Sequence, residues 1–167
     1  VNFPTPQHFV DADVDLVQLV GHMLAAAVER DRAEQIHATV SRFGRFVLAT
    51  HDIGDILNRA VEAVADALSA PVVSVVRIPA GSEKLIVLSG HGLVNRFVGH
   101  EYPSQPEIDA LHRTSEPVVV TDWRTHPFSL RGGHPQDSRV AASVSASLLV
   151  AGRVWGRLAA GFPRPWQ

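Results

Sequence analysis

An α/β fold of the segregated α+β kind, an antiparallel sheet flanked by helices, is what this sequence predicts, and three observations carry it. Apolar residues recur at helical spacing from Val10 to Val47 and again from Ile53 to Leu68. Two pairs of short apolar runs, 72–89 and 142–162, are each split by turn residues, as hairpins are. Between the pairs lies a stretch punctuated by Gly and Pro that holds one further apolar run, 117–121.

In chain order, residues 1–8 carry Pro4 and Pro6 and read as a loop. A long N-terminal helix is expected from Phe9 onward. Val10, Val14, Val17, Leu24 and Val28 follow a four-three spacing broken only at Gly21, and Leu16, Val20, Met23 and Ala27 form a second stripe. Two stripes imply cover on more than one side, from the sheet and from a partner helix. Asp11, Asp13 and Asp15 lie near the helix start, where the macrodipole favours acids. Residues 29–35 are polar but contain no Gly or Pro, so the helix is expected to run through; the alternative is two helices meeting near Glu34. The apolar pattern resumes at Ile36, Val40, Phe43 and Val47, displaced by one residue from the earlier heptad phase, an irregularity of coiled-coil type.

Asp52 followed by Asp55 resembles a capping box, and the next helix shows Ile53, Ile56, Leu57, Ala60, Val61, Val64 and Leu68 on one face. It ends near Pro71. Strands are expected over Val72–Ile78 and Lys84–Ser89, then a loop over 90–106, and a short helix over Pro106–Thr114 with Ile108 and Leu111 facing in. A strand over Pro117–Thr121 precedes a long irregular segment, 122–139, of the kind that usually carries function. The closing strands, Ala142–Val150 and Val154–Phe162, are joined through Ala151-Gly152-Arg153. The expectation is therefore five strands.

Composition excludes several function classes. The net charge is −2 with both signs interspersed, so no electrostatic footprint for nucleic acid or for an acidic membrane surface is present. The chain has no cysteine, which removes disulfides, thiolate nucleophiles, cysteine-ligated metals and the thioether attachment of a bilin. No apolar run approaches the roughly 20 residues that span a bilayer, and a cytoplasmic location is expected. Beginning at Val1 with neither an initiator Met nor a signal peptide, the chain reads as an excised fragment.

Several segments, in order, resemble the GAF domain family. HDIGDILNRAVEAVADALSAPVVSVVRI is similar to its first helix and strand, and SGHGL to the end of its second strand. EPVVVTD is similar to the third strand, which in the family typically ends in Asp, here Asp122. ASVSASLLVAGRVWGRLAAG is similar to the closing hairpin. Family members often carry Pro near position 147 or 148; Ser147-Leu148 departs from that and predicts more regular pairing. The resemblance covers about residues 36–167. FVDADVDLVQLVGHMLAAAVER resembles the helix that closes a GAF domain, so residues 1–35 are expected to be either the exit helix of a preceding domain or a plain signalling helix.

The resemblance implies a sensory module of a bacterial signal-transduction protein, with a sensor histidine kinase as the foremost parent, and a pocket roofed by residues 92–139. Trp123, Arg124, His126, Phe128, His134 and Arg139 belong to that roof, where aromatic rings and guanidinium groups can grip a planar or anionic ligand. The commoner outcome for such residues is that Trp123 and Phe128 close the core and the arginines face solvent. His134-Pro135 resembles the proximal His-Pro of haem-binding GAF domains, so haem is one candidate cofactor and His134 its ligand, the alternative being a loop histidine in solvent. The Asn-Lys-Phe-Asp-Glu signature of cyclic-nucleotide GAF domains is missing. No nucleophile–base or paired-carboxylate pattern is recognisable, and the family's sulfoxide reductases use cysteines, so catalysis is not expected. Ile36, Val40, Phe43 and Val47 offer a surface for a parallel homodimer through the N-terminal helices, their alternative being packing on the sheet.

Overall fold

The computed structural model describes residues 10–103, 110, 111, 113–126 and 140–166. Of the sequence-derived candidates, Phe128, His134, Arg139 and the inward-facing Ile108 lie outside these residues. The chain divides into two compact units, Val1–Val40 and Ser41–Gln167.

Helix α1 spans Asp11–Ala49 without a break, so the polar stretch 29–35 is helical as expected. At 1.5 Å per residue its length is about 58 Å. The Asp13 carboxylate accepts from the Val10 amide at 3.0 Å and caps the first turn. Through the polar stretch the helix is laced by its own neighbours: Gln35 Nε2 donates to Asp31 Oδ2 at 2.7 Å, and Arg30 faces Glu34 one turn on at 3.8 Å. In the first unit the apolar side chains stay uncovered. Leu16, Val17, Met23, Leu24 and Val28 are each 60% exposed or more. The cover expected for both stripes is thus not supplied by the described chain. Apolar residues spread around a helix, rather than gathered on one side, leave no single face for a sheet to bury.

The second unit is built on helix α2, Ile53–Leu68. Asp52 is its N-cap: Oδ1 accepts from the Asp55 amide at 2.9 Å. Ser69, at φ 49°, turns the chain into the left-handed region and ends the helix. The strands are β1 (Val72–Arg77), β2 (Lys84–His91), β3 (Glu101–Pro103), β4 (Val118–Val120), β5 (Ala142–Val150) and β6 (Arg153–Phe162). They form one antiparallel sheet in the order β3-β2-β1-β6-β5-β4. The closing hairpin therefore joins the same sheet as residues 72–89, through β1 pairing with β6 from Val72↔Gly161 to Arg77↔Gly156.

The sheet has six strands rather than five, because Glu101–Pro103 pairs with Lys84–Ile86 inside the stretch read as loop. Three residues ending in Pro carry no alternation to read, and Pro suits an edge strand because its missing N–H costs no ladder bond there. A 3₁₀ turn over Gly92–Phe97 links β2 to β3. Gly92, at φ 68°, opens that turn where a Cβ would sit 2.0 Å from the Pro71 carbonyl oxygen, so only glycine fits. The β5–β6 pairing is not fully regular. Leu148 faces Gly156 but Leu149 faces Val154, leaving Trp155 as an extra residue on β6. The irregularity expected to vanish with the family's proline is thus present without it, because the bulge lies on the partner strand.

Alternation along the strands gives the sheet two different faces. Val73, Val75, Val144, Leu158, Ala160 and Phe162 pack toward α2, meeting Leu57, Val61, Val64, Ala65 and Leu68. Val61, Val73 and Val75 are at most 1% exposed and form the centre of the core. Ile53, read as core-facing, is 62% exposed. A polar seam edges this layer: the Ser89 hydroxyl meets Asn58 Oδ1 at 2.7 Å, and His91 Nδ1 meets Glu62 Oε1 at 3.1 Å.

Candidate functional site on the serine face of the sheet

The alternate residues turn to the face away from α2, and the register lines them up across strands. One row runs Val72, Gly161, Ser143, Val120; the next runs Ser74, Ala159, Ser145, Val118; the third holds Val76, Arg157 and Ser147. The run Ser143-Val144-Ser145-Ala146-Ser147 puts its three hydroxyls on this side and its apolar residues on the other. The side chains on this face are small, and their hydroxyls give it hydrogen-bonding capacity.

Each end of this face is covered by chain from outside the sheet. At one end, Val140 lies against Gly161, where a Cβ would meet its methyl groups at 2.8 Å. Trp123 is held beside it: its amide donates to the Ala141 carbonyl at 2.7 Å and its indole Nε1 to Ser143 Oγ at 3.0 Å. The His126 ring leans on Trp123, with centroids 5.3 Å apart. Both are half-buried.

At the other end stands Arg157, a residue the sequence reading passed over. It is 2% exposed. Its Nη1 donates to the carbonyls of Leu111 at 2.6 Å and Thr114 at 3.1 Å and to Ser147 Oγ at 3.1 Å. Its Nη2 donates to the carbonyls of Glu116 at 3.2 Å and Ser145 at 3.3 Å. The Ser147 hydroxyl in turn donates to the Thr114 carbonyl. The guanidinium thus gathers Leu111, Thr114 and Glu116 onto the sheet. Burial pulls its pKa down from the ordinary arginine value, since desolvation disfavours the charged form. None of these partners is a carboxylate, and among the described residues Nε is buried with no hydrogen-bond partner. A signal was legible in the sequence: one arginine between Gly156 and Leu158 in the otherwise apolar run Val154–Phe162.

Arg124 has a different role in the geometry from Trp123. Its side chain is 72% exposed and forks onto the Asp122 carboxylate, with Nη2–Oδ2 at 2.7 Å and Nε–Oδ1 at 3.0 Å. The Asp122 carboxylate also accepts from the Arg124 amide at 2.9 Å, closing a turn just after β4. These bonds hold the Asp122 carboxyl below its ordinary value of 3.8. Of the α1 stripe, Ile36 and Val40 are 37% and 63% exposed, whereas Phe43 and Val47 are half-buried. Among the described residues, no three or more His, Asp or Glu side chains gather to hold a metal ion. No helix among them is long and apolar enough to cross a membrane.

An antiparallel sheet of this order, with a core helix on one face and a polar face covered at its two ends on the other, meets its decisive comparison in the family's sequence model, which matches residues 52–167. The chain belongs to the GAF domain family. GAF domains are sensory and regulatory modules, and the match opens at Asp52, the N-cap of α2. Among solved structures, the GAF domain of an Acinetobacter phosphoenolpyruvate-protein phosphotransferase superimposes with a TM-score of 0.67 at 19% identity, over 78% of each chain. The phycocyanobilin-bound GAF domain of a cyanobacterial phytochrome gives 0.64 at 15% identity, over 79% of this chain and 82% of that one. The free methionine-R-sulfoxide reductase of Neisseria meningitidis, in complex with its substrate, gives 0.61 at 18% identity, over 79% and 75%. At these identities the likeness is one of fold. No curated protein matches the chain in sequence.

Proposed function

We propose that this GAF domain is the sensory part of a cytoplasmic bacterial signal-transduction protein, foremost a two-component sensor histidine kinase, and that it holds a small ligand against the serine face. The observation that carries the reading is the row Ser74–Ala159–Ser145, small and half-buried between the Trp123 cover and the Arg157 clasp. A core serves packing best with bulky apolar residues, so a sheet face of hydroxyls covered at its two ends suits a polar occupant. Two neighbours in fold hold small molecules by their own descriptions, phycocyanobilin in one and a reductase substrate in the other. Trp123 and His126 stand at the rim of the proposed site, with Arg124 tied to Asp122 beside them, and Phe128, His134 and Arg139 complete the set. The role is regulatory rather than catalytic: a chain without cysteine has no thiol for sulfoxide reduction. Occupancy acts by favouring one arrangement of the terminal helices over another. A cyclic-di-GMP enzyme or a phosphatase regulator is the alternative parent.

Native mass spectrometry and an absorbance scan of the purified chain test this. A retained small molecule that is lost in Ser145→Phe, with far-UV circular dichroism unchanged, supports it. Equal retention by Ser145→Phe removes the serine face as the site. If the ligand is haem, a Soret band is present and disappears in His134→Ala.

One observation favours a second reading, in which the domain binds nothing and serves as a dimerising relay. The exposed apolar side chains of α1, with Ile36 and Val40 continuing the series, suit a parallel helical pair. A silent absorbance spectrum and a constitutive dimer support the relay. A strict monomer by light scattering rules out the helical dimer.

A further inference from the structure

We infer that the serine face takes an oxyanion, a carboxylate or phosphate group, on the Nε–Nη2 edge of Arg157, and that binding there loosens the hold on Glu116. The inference rests on the ligand-binding reading above and names the chemistry of its ligand.

Arg157 is 2% exposed, and its guanidinium carries a full positive charge that no carboxylate among its partners answers. Arginine that deep is ordinarily paired with an acid, because burying an uncompensated charge is costly. Here its acceptors are four carbonyls and a hydroxyl. They are dipoles, weaker acceptors for a cation than an anionic oxygen.

The two edges of the group are also unequal. Nη1 holds the shortest contact, 2.6 Å to Leu111, and shares Ser147 with Thr114. Nη2 holds the two longest, 3.2 Å to Glu116 and 3.3 Å to Ser145. Nε, next to Nη2 on the same edge, is buried and donates to nothing among the described residues. That edge presents two parallel N–H groups at the spacing a planar or tetrahedral oxyanion accepts in a bidentate fork. It is therefore the edge on which the guanidinium is held least and has most to gain. An oxyanion there supplies the missing charge, satisfies Nε and competes with the Glu116 carbonyl for Nη2. Glu116 lies just before β4, whose far end leads into Asp122 and the Trp123 cover. The Nη1 contacts to Leu111 and Thr114 stay in place, so the chain is loosened at Glu116 rather than released.

The test uses the full chain with sodium acetate and potassium phosphate as probes, against sodium chloride at equal ionic strength. The ¹⁵Nε–¹Hε resonance of Arg157, assigned through bonds in the wild type, is expected to move saturably with one or both oxyanions and not with chloride. Acetate and phosphate arms tell a carboxylate site from a phosphate site. In Arg157→Lys, which keeps the charge but loses the fork, the oxyanion affinity is expected to fall at least about ten-fold, the worth of one charge-assisted hydrogen bond. Hydrogen exchange gives a second readout: the Glu116 amide is expected to exchange faster with the effective oxyanion in the wild type alone. An Arg157 resonance indifferent to both oxyanions overturns the inference even if the lysine variant does not fold. Equal affinity in a folded Arg157→Lys overturns it too. A neutral molecule retained by the purified chain and lost in Ser145→Phe, with that resonance unmoved, sinks the oxyanion and leaves the ligand-binding reading standing.

Discussion

At the residue scale, charge placement separates two arginines that the sequence treats alike. Arg124 pairs two residues away with Asp122 in solvent, whereas Arg157 reaches carbonyls 41 to 46 residues back in the chain. The first is a local turn device, legible once Asp122-Trp123-Arg124 is known to follow a strand. The second depends on tertiary neighbours. Their consequences for stability differ in kind. The Asp122 carboxyl is held below 3.8 by Arg124, so its ionised form is favoured by folding. That contribution is complete above the ordinary value and fades as pH falls from there toward the lowered one. Urea denaturation is expected to show a small loss of stability below about pH 4 that Arg124→Ala reduces, the bond from the residue-124 amide remaining, with the Asp122 side-chain carbon titrating higher in the variant. An unchanged titration in Arg124→Ala ends this account.

At the scale of single elements, the β5–β6 hairpin and α1 show how far local sequence decides. Ala151 and Gly152, at φ 50° and 73°, make the two-residue turn whose handedness matches strand twist. Glycine belongs there; alanine is strained. Ala151→Asn is expected to raise stability by about 0.5–1 kcal/mol, read as a higher denaturant midpoint with the slope unchanged. Helix α1 is continuous because nothing in 29–35 interrupts it, yet its apolar side chains remain exposed. If two copies pair through α1, Val17→Glu with Leu24→Glu is expected to halve the mass seen by light scattering. The thermal midpoint of the second unit should then hold constant, since neither residue belongs to it.

For the whole molecule, the pairing of β1 with β6 is the decisive contact, since it joins the opening hairpin to the closing one across some eighty residues of chain. Gly156 sits at the end of that ladder, where a Cβ would lie 2.4 Å from the Val76 carbonyl oxygen. Gly156→Ala is therefore expected to cost about 2–4 kcal/mol and to lower the cooperativity of unfolding, measured by chemical denaturation. A loss below about 0.5 kcal/mol, the usual surface value, would show that the strands part without strain. Pairing over so long a loop forms late in folding, because closure entropy comes before its contacts repay it.

Periodicity was enough to place both helices and the two hairpins, and an unbroken apolar run marked the segment that became β4. Family membership was legible from the order of those segments. The edge strand β3 was not, because Glu101-Tyr102-Pro103 carries neither a period nor the unbroken apolar run that marks β4. The candidate site was legible only in part: Trp123 and His126 belong to the irregular segment that length alone marks as functional, but Ser145 and Arg157 read as ordinary strand residues. Which face each strand turns to α2, and hence that three serines and one arginine share the other face, is a matter of register between distant segments. Register comes from packing one whole layer on another, and no local stretch of sequence contains it.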